Sequence, residues 1–559
     1  MRQKRVAIHG EASYVKSGYG GITRNLAAKL HEAGHIVAEI SNYGHIDYPL
    51  KKTIPWEHYA VGPGEVWNQI PNERENAEYN STPLNHFGLW RMNDILLHFK
   101  PDVVISFLDH WMSAHILHNP MKHCFKMIWS PTVDARPQNE QWIADYIECD
   151  HVYTYTDFAQ EELRKESGNL INLKGLASPG VNNTIFSPIH NKKQFKKAHG
   201  LDPNVRVLGT VMRNQRRKLY PDLLLGFRKF LDISGDDGNN VILYLHTSYP
   251  DLGWDLPRLI KETGLSHKIL FTYLCLNCGA SFPSFFADAV TVCPNCQNAS
   301  ARLPNTQNGI SDEALAIIYN LFDIYVQYAN SEGIGMPAVE AASCGVHPMY
   351  VDYSGMEDFV KLGGTPIKYS SLYRESETHC LRAVPDNDDF ANKLLELVKL
   401  PDSMLMKKGF DARRGAIKHY TWDGTAKKLL DSIEELDGNW TCPARIHRLD
   451  FNEPPHLSDK DFVVWAITNL LGEPNKVNSY FATILLRDLS MGLSPNYNDI
   501  YINEDSILGA RQRLSQFGRK EIKEKLVKMS EERNLWEARR CGFDKSYTTP
   551  SWLLKSVQK

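Results

Sequence analysis

Ser331–Val360 reads SEGIGMPAVEAASCGVHPMYVDYSGMEDFV. Two carboxylates, Glu332 and Glu340, stand eight positions apart, with a Gly-x-Gly turn after the first and a helical pattern leading to the second. The preceding segment, Ile318–Ala329 (IYNLFDIYVQYA), reads as a helix end followed by a short buried strand. The order is therefore strand, glutamate, glycine turn, helix. A glycine turn at a helix start offers unpaired N–H groups and the positive end of the helix dipole to an anion. The flanking acids cannot bind phosphate, but they can accept hydrogen bonds from sugar hydroxyls. That combination suggests a nucleotide sugar rather than a plain nucleotide.

The whole block in register resembles one found in the family-4 retaining glycosyltransferases, which have the GT-B fold. Glu332 and Glu340 match the family's E-x7-E motif. Ala341, Cys344 and Gly345 match its "EAxACG" run, with Ser343 in place of the second alanine. Asp352-Tyr353-Ser354-Gly355 matches its "DYSG" variant.

The chain has 559 residues, 42% of them hydrophobic and 23% charged, with a net charge of −3. It is long enough for three or four domains. Near-neutrality excludes bulk electrostatic attraction to nucleic acid as the main design, though not a local basic groove. No apolar run reaches the length of a transmembrane helix, and Met1-Arg2-Gln3-Lys4-Arg5 leads straight into a strand rather than a signal-peptide core. A cytoplasmic setting is expected.

Outside the decisive block, Arg5–His9 (RVAIH) is a short apolar run followed by the loop Ser17-Gly-Tyr-Gly-Gly21. An amphipathic helix pattern then ends at Gly34, and Ile36–Ile40 makes the next strand. This is a Rossmann-type opening. Further strands at Val103–Ile105, Met127–Trp129 and Val152–Thr154, each trailed by helical patterns, predict a parallel doubly wound sheet. A turn-rich segment, Ser178–Asn183 with Phe186-Ser-Pro188, resembles the family's crossing between lobes. A second Rossmann-like lobe begins at Val205 and continues through Val241–Leu245 and the 331–360 block. The pattern Tyr420-Thr-Trp-Asp423 with a helix to about Leu436 resembles the family's closing helices.

The fold expected is α/β, two Rossmann-like lobes (GT-B) at 1–188 and 189–437. The first would lie on the acceptor side and the second on the nucleotide-sugar side. An insertion falls at 272–301, and a helical accessory module is expected at 438–559. In that module Phe462–Leu471, Tyr480–Leu489 and Ile507–Arg540 read as helices.

The resemblance also implies a donor site. Arg213 and Lys218 match the family's arginine and lysine that contact the leaving diphosphate. Arg216 and Arg217 compete with them for that assignment. Glu332 would lie beside the donor sugar, and Glu340 would accept from the ribose hydroxyls. The N–H groups of Gly333, Ile334, Gly335 and Met336 would face phosphate or sugar. Gly20 and Gly21 would form a flexible glycine loop over the cleft. The family's first-lobe histidine is not found in its usual setting; Asp134 and His110, both at strand ends, are the candidates to replace it. His347 stands where the family normally has proline. The implied reaction retains anomeric configuration and needs no metal at the reaction centre.

Of ten cysteines, Cys275, Cys278, Cys293 and Cys296 form two C-x-x-C pairs separated by fourteen residues. That spacing reads as a zinc ribbon, four thiolates on two tight turns around a structural Zn2+. A closed four-cysteine shell leaves no position for catalysis.

The function expected is transfer of a sugar from a nucleotide-diphosphate sugar to an acceptor hydroxyl. The acceptor stays open between a polysaccharide, a lipid, a small metabolite and a hydroxymethylated nucleic-acid base. A GT-B nucleotide-sugar epimerase and a non-catalytic sugar-nucleotide or nucleic-acid binder are the alternatives. Glu332→Gln is expected to cut turnover while largely sparing the fold.

Overall fold

The computed structural model describes residues 2–44, 54–62, 76–77, 79–119, 121–286, 290–305 and 308–440. The helices expected after residue 440 lie outside the described residues.

Residues 5–176 supply a seven-stranded parallel sheet. Its strands are β1 (Arg5–Glu11), β2 (Ile36–Asn42), β3 (Glu57–Ala60), β4 (Val103–Ser106), β5 (Lys126–Trp129), β6 (His151–Thr154) and β7 (Leu173–Leu176), in the order β3-β2-β1-β4-β5-β6-β7. The inner strands are mostly apolar and buried along their whole length, which is why runs rather than alternating patterns mark them. The helix Gly18–Glu32 shows how the connections are built. Ser17 Oγ caps it by accepting from Gly20 N, and Ile22, Leu26, Ala27 and Leu30 form its buried stripe. Gly34, at φ +90°, lets the chain leave it for β2.

The second sheet contains β8 (Arg206–Val211), β9 (Val241–His246), β10 (Ile269–Cys275), β11 (Ser281–Phe285), β12 (Ala301–Arg302), β13 (Ile324–Gln327), β14 (His347–Val351) and β15 (Thr365–Ile367). The main path runs β11-β10-β9-β8-β13-β14-β15 and is parallel from β10 to β15. The cysteine segment is thus an extension of the sheet edge. β10 pairs in parallel with β9 over Ile269–Phe271 and carries β11 antiparallel on its other edge, while β12 pairs antiparallel with Leu274 and Cys275 on the edge that β9 leaves free. A two-stranded hairpin, β16 (Tyr369–Arg374) and β17 (Leu381–Pro385), stands apart from both sheets. Sequence pattern had not revealed it.

Strand order reverses beside β1 in the first sheet and beside β8 in the second. Such reversals open a crevice at the carboxyl ends of the strands. The loops leaving β1, β4, β8 and β13 meet there. The chain crosses between lobes near Gly180, where Val181 N donates to Tyr420 O at 3.1 Å. The last described helix, Trp422–Glu435, returns to the first lobe. There Tyr153 Oη donates to Lys428 O at 2.8 Å, and Lys4 Nζ reaches the Ile433 carbonyl at 2.7 Å.

Helix Asp402–His419 supports the helix Met336–Ser343 through a face of small residues. A Cβ added at Gly409 would lie 2.0 Å from the Gly345 carbonyl oxygen, a backbone atom that cannot move aside. Gly409→Ala is therefore expected to destabilise the chain by about 1–3 kcal/mol. Thermal unfolding should show a midpoint several degrees lower; an unchanged midpoint would contradict this packing.

Candidate functional site

The turn after β13 is built for close approach. Gly335 has φ +75° and begins the helix Met336–Ser343. A Cβ on Gly333 would meet the Thr132 Cγ2 of the first lobe at 2.4 Å. Gly355 N donates to Glu332 O at 3.0 Å, and a Cβ there would strike the Gly333 carbonyl. The backbone of Glu332 is held further by Ser354, whose Oγ accepts from Glu332 N at 2.9 Å. Gly333, Ile334, Gly335 and Met336 thus lie at the junction of the lobes.

Glu332 is 5% exposed and surrounded by donors. Arg217 Nη1 donates to Oε2 at 2.7 Å, Gln327 Nε2 donates to Oε1 at 2.6 Å, and Lys218 Nζ also contacts Oε1. Burial pushes this carboxyl up, but Lys218 and Arg217 outweigh it and hold the group at about 2. Lys218 is lowered to about 8, first by burial and then by the adjacent Arg217, against the pull of Glu332. Both cations come from the short turn Arg216–Lys218, which Leu219 closes in the left-handed region at φ +35°. A non-glycine residue held there marks strain that the surrounding structure must enforce.

Arg213 is placed differently. It is half-exposed and forks onto Asp251, with Nε to Oδ2 at 2.8 Å and Nη2 to Oδ1 at 3.0 Å. Arg217, rather than Arg213, shares Glu332 with Lys218. Arg213 remains within electrostatic reach of Glu11 across the cleft.

From the first lobe, Asp134 reaches the same centre. Its Oδ2 pairs with Arg382 Nη1 at 2.9 Å and accepts from Ser331 Oγ at 3.4 Å. Tyr19 Oη donates to Asp109 Oδ1 at 2.8 Å and lies 2.8 Å from Thr132 Oγ1. Burial raises the Asp109 carboxyl above its ordinary range. His110 turns away from this centre. Its Nε2 bonds Asp145 Oδ2 at 2.6 Å, and its ring stacks on Trp129 and Trp142. Gly20 and Gly21 sit in the first turn of the helix Gly18–Glu32, not in a free loop, and a Cβ on Gly20 would meet the Val15 carbonyl at 2.4 Å. His347 is buried in β14 with Nε2 2.8 Å from Thr365 Oγ1, so the strand continues without the family's proline.

Sequence reasoning did not single out Tyr19, Asp109, Glu11 or Arg382. Tyr19 directly precedes Gly20, and Asp109 precedes His110, so both stand beside residues that the motifs pick out. Arg382 gave no signal because β17 pairs only with β16, outside both sheets, and follows no strand–helix alternation.

Glu340 lies one helix turn beyond this centre and accepts from Tyr319 Oη at 2.7 Å. Burial pushes its carboxyl up to about 7, and Asp312 adds to the effect.

The four cysteines converge, with all four sulfur atoms within 4.8 Å of one another. Cys275 and Cys296 are 3.6 Å apart, and Cys278 and Cys293 are 3.7 Å apart. A tetrahedral site with metal–sulfur bonds of 2.3 Å has sulfur–sulfur edges of about 3.8 Å. The two knuckles share one backbone pattern. Cys275 N donates to Ala280 O and Gly279 N to Cys275 O; Cys293 N donates to Asn298 O and Gln297 N to Cys293 O, each at 2.9 Å.

Residues 305–408 match the family model described as Glycosyl transferases group 1. The matched stretch holds Glu332, the glycine turn, Glu340 and Arg382. A D-inositol 3-phosphate glycosyltransferase of Mycobacteroides abscessus is 25% identical over 280 residues, covering 48% of this chain and 48% of the relative. The protein of the same name from Gordonia bronchialis is 26% identical over 302 residues, 53% of this chain and 55% of that protein. The chain thus spans about half the length of the curated relatives it matches. Among solved structures, a sucrose-phosphate synthase from Thermosynechococcus elongatus superposes with a TM-score of 0.56 at 15% identity, covering 78% of this chain and 99% of the other. Anabaena HepE in complex with UDP-glucose gives 0.53 at 12% identity, covering 78% and 100%. These likenesses establish the fold, the two facing α/β lobes of GT-B proteins.

The Glu340 proton gives a pH test of the helix. The folded carboxyl sits at about 7, above its ordinary 4.5, so its contribution to stability is full below the lower value and is lost as pH rises through the upper one. Glu340→Gln removes this titration. Denaturant unfolding from about pH 5 to about pH 8 should show the wild type losing stability relative to the variant. A difference independent of pH would contradict the buried carboxyl.

Proposed function

We propose that the chain is a retaining glycosyltransferase that moves a sugar from a nucleoside-diphosphate sugar to an acceptor hydroxyl. The observation that carries this reading is the convergence of Arg217 and Lys218 on Glu332, at a glycine turn that opens a helix in the cleft. Departure of a nucleoside diphosphate develops negative charge, and fixed cations in a water-poor cleft stabilise it most. Lys218 and Arg217 would turn from Glu332 to the diphosphate, with the N–H groups from Gly333 to Met336 completing its seat. Glu332, freed of its cations, would accept from the donor sugar's hydroxyls. Glu340, ionised above about 7, would accept from the ribose. Asp134 would face the anomeric carbon from the first lobe. Arg213, Gly20, Gly21 and His110 then act from the rim or through packing. Retention with the acceptor on the same face as the leaving group needs no carboxylate on the opposite face.

The acceptor belongs to the first lobe, where Glu11, Asp109 and Tyr19 offer groups for hydroxyls. A small polyol or saccharide suits that set, as the relatives' name, inositol phosphate glycosyltransferase, also suggests. A nucleic-acid acceptor gains little support from the ribbon, since residues 272–301 contain no lysine or arginine to meet phosphates. Among the described residues no helix is long and apolar enough to cross a membrane.

Incubation with a panel of nucleotide sugars, with and without polyol, saccharide, lipid and modified-DNA acceptors, tests the reading. Transfer to an acceptor with inverted product stereochemistry would contradict retention; free epimerised sugar nucleotide would favour the epimerase. For the site, Lys218→Met is the cleaner variant. Glu332→Gln would leave two cations without their counter-charge in the cleft, a change that commonly costs about 3–5 kcal/mol when the pair is buried. The sequence-based expectation that Glu332→Gln spares the fold is therefore replaced. Lys218→Met keeps Arg217 on Glu332 and should lower kcat/KM by about 10²–10³-fold; wild-type turnover would contradict its role.

Cys275, Cys278, Cys293 and Cys296 fit a structural zinc ion, which would fasten the sheet edge and supply no chemistry to the cleft. Metal analysis of the full chain should find about one zinc per chain. Cys278→Ser should lose it and open residues 272–301 to proteolysis. Full metal retention would contradict the ribbon.

A further inference from the structure

We propose that Arg382 is a positioning residue for the reaction centre, through which the β16–β17 hairpin clasps the first lobe and holds Asp134 against Ser331, the residue before Glu332. The inference rests on the donor site proposed above. Its evidence is a set of contacts that cross the cleft at one place. Leu381 N donates to Arg136 O at 2.7 Å, an antiparallel bridge between the lobes. Cys380 Sγ donates to Pro137 O at 3.1 Å. Between these strands Arg382, 7% exposed, extends its guanidinium. Nη1 donates to Ser331 Oγ at 2.6 Å and pairs with Asp134 at 2.9 Å, while Nη2 donates to Glu375 Oε2 at 2.7 Å.

The hairpin is fastened to the donor turn as well as to the first lobe. Ala383 N donates to Asn330 O at 3.0 Å, and Asn330 Nδ2 donates to Tyr373 Oη at 2.8 Å. Asn330 N in turn donates to Arg217 O at 2.9 Å. One short hairpin thereby joins the residues that precede Glu332, the loop that carries the cations, and the first-lobe loop that carries Asp134.

The chemistry requires an arginine here. A planar guanidinium with separate donors can face Asp134, Ser331 and Glu375 at once; an ammonium is a point charge and cannot reproduce that fork. Without the cation, Asp134 and Glu375 would face each other as like charges in a poorly solvated gap. The simplest relief is separation of the lobes, which would carry Asp134 away from the donor turn. Displacement by about 1 Å at a reacting centre is enough to lower a rate steeply.

The Leu381 amide provides a readout that needs no ligand. Its acceptor is on the other lobe, so its hydrogen exchange reports closure rather than hairpin folding. In the full ligand-free chain it should be protected. Arg382→Gln and Asp134→Asn should each speed its exchange by about tenfold or more. The ladder amides shared by β16 and β17 should stay protected in Asp134→Asn, which leaves the hairpin's own side chains intact. Unchanged Leu381 exchange in both variants would overturn the clasp.

Turnover supplies the second arm, with whichever nucleotide sugar the donor panel identifies. Arg382→Gln should lower kcat by about a hundredfold while the donor KM changes by less than about threefold. Arg382→Lys, which keeps a cation for Asp134, should recover part of that loss. A kcat equal to wild type in Arg382→Gln, or a loss that merely follows a lowered unfolding temperature, would overturn the positioning role. A chain that turns over no nucleotide sugar would defeat the proposed transferase, while the exchange measurement would still decide the clasp.

Discussion

One carboxylate organises the cleft. Glu332 is buried, ionised and gripped by Lys218, Arg217 and Gln327, and it sits at the end of β13 where the backbone must turn sharply. Burying these charges together is tolerable only because each has a partner. That requirement explains the local sequence. Gly333 and Gly355 are the positions where a side chain would break the turn, Ser354 ties down the Glu332 backbone, and Leu219 accepts a left-handed conformation so that two successive cations point inward. On the reading proposed above, the cluster would become a diphosphate seat when an anion competes with Glu332 for Lys218 and Arg217.

Around that cluster the fold supplies opposition. Two parallel sheets present their reversal points to one another, and among the connections that hold them face to face three stand out. The crossing at Gly180 packs on Tyr420 and Trp422, the last described helix returns to β6 and the amino terminus, and the β16–β17 hairpin bridges Arg136. The first two are hinges made by the chain path. The hairpin is the only one of the three that touches the residues of the cleft, so lobe position and site geometry are set by the same contacts.

Much of this was legible in the sequence, and for physical reasons. Strands buried on both faces carry continuous apolar runs, so β1, β4, β5, β6, β8 and β9 could be placed from composition alone. The Ser331–Val360 block could be read because a glycine turn, a helix and two acids each leave a distinct trace, and the paired C-x-x-C knuckles encode their own geometry. The assignment of cations was less legible. Arg213 and Lys218 are the positions the resemblance points to, but the tight turn at 216–218 brings Arg217 to Glu332 and leaves Arg213 with Asp251. Edge strands such as β3 and β7 are short and partly polar, and a hairpin that packs across a cleft has no periodicity of its own. Gly20 and Gly21 read as a loop because glycine is rare inside helices; Ser17 caps the helix early enough to include them.

The central claim is that Lys218, Arg217 and the Gly333–Met336 turn form a seat for a nucleoside diphosphate. Calorimetric titration of UDP, GDP and ADP into the full chain addresses it most directly. The account predicts that at least one of them binds with one-to-one stoichiometry, and that inorganic phosphate at the same concentration does not replace it. Absence of binding by all three would contradict the account.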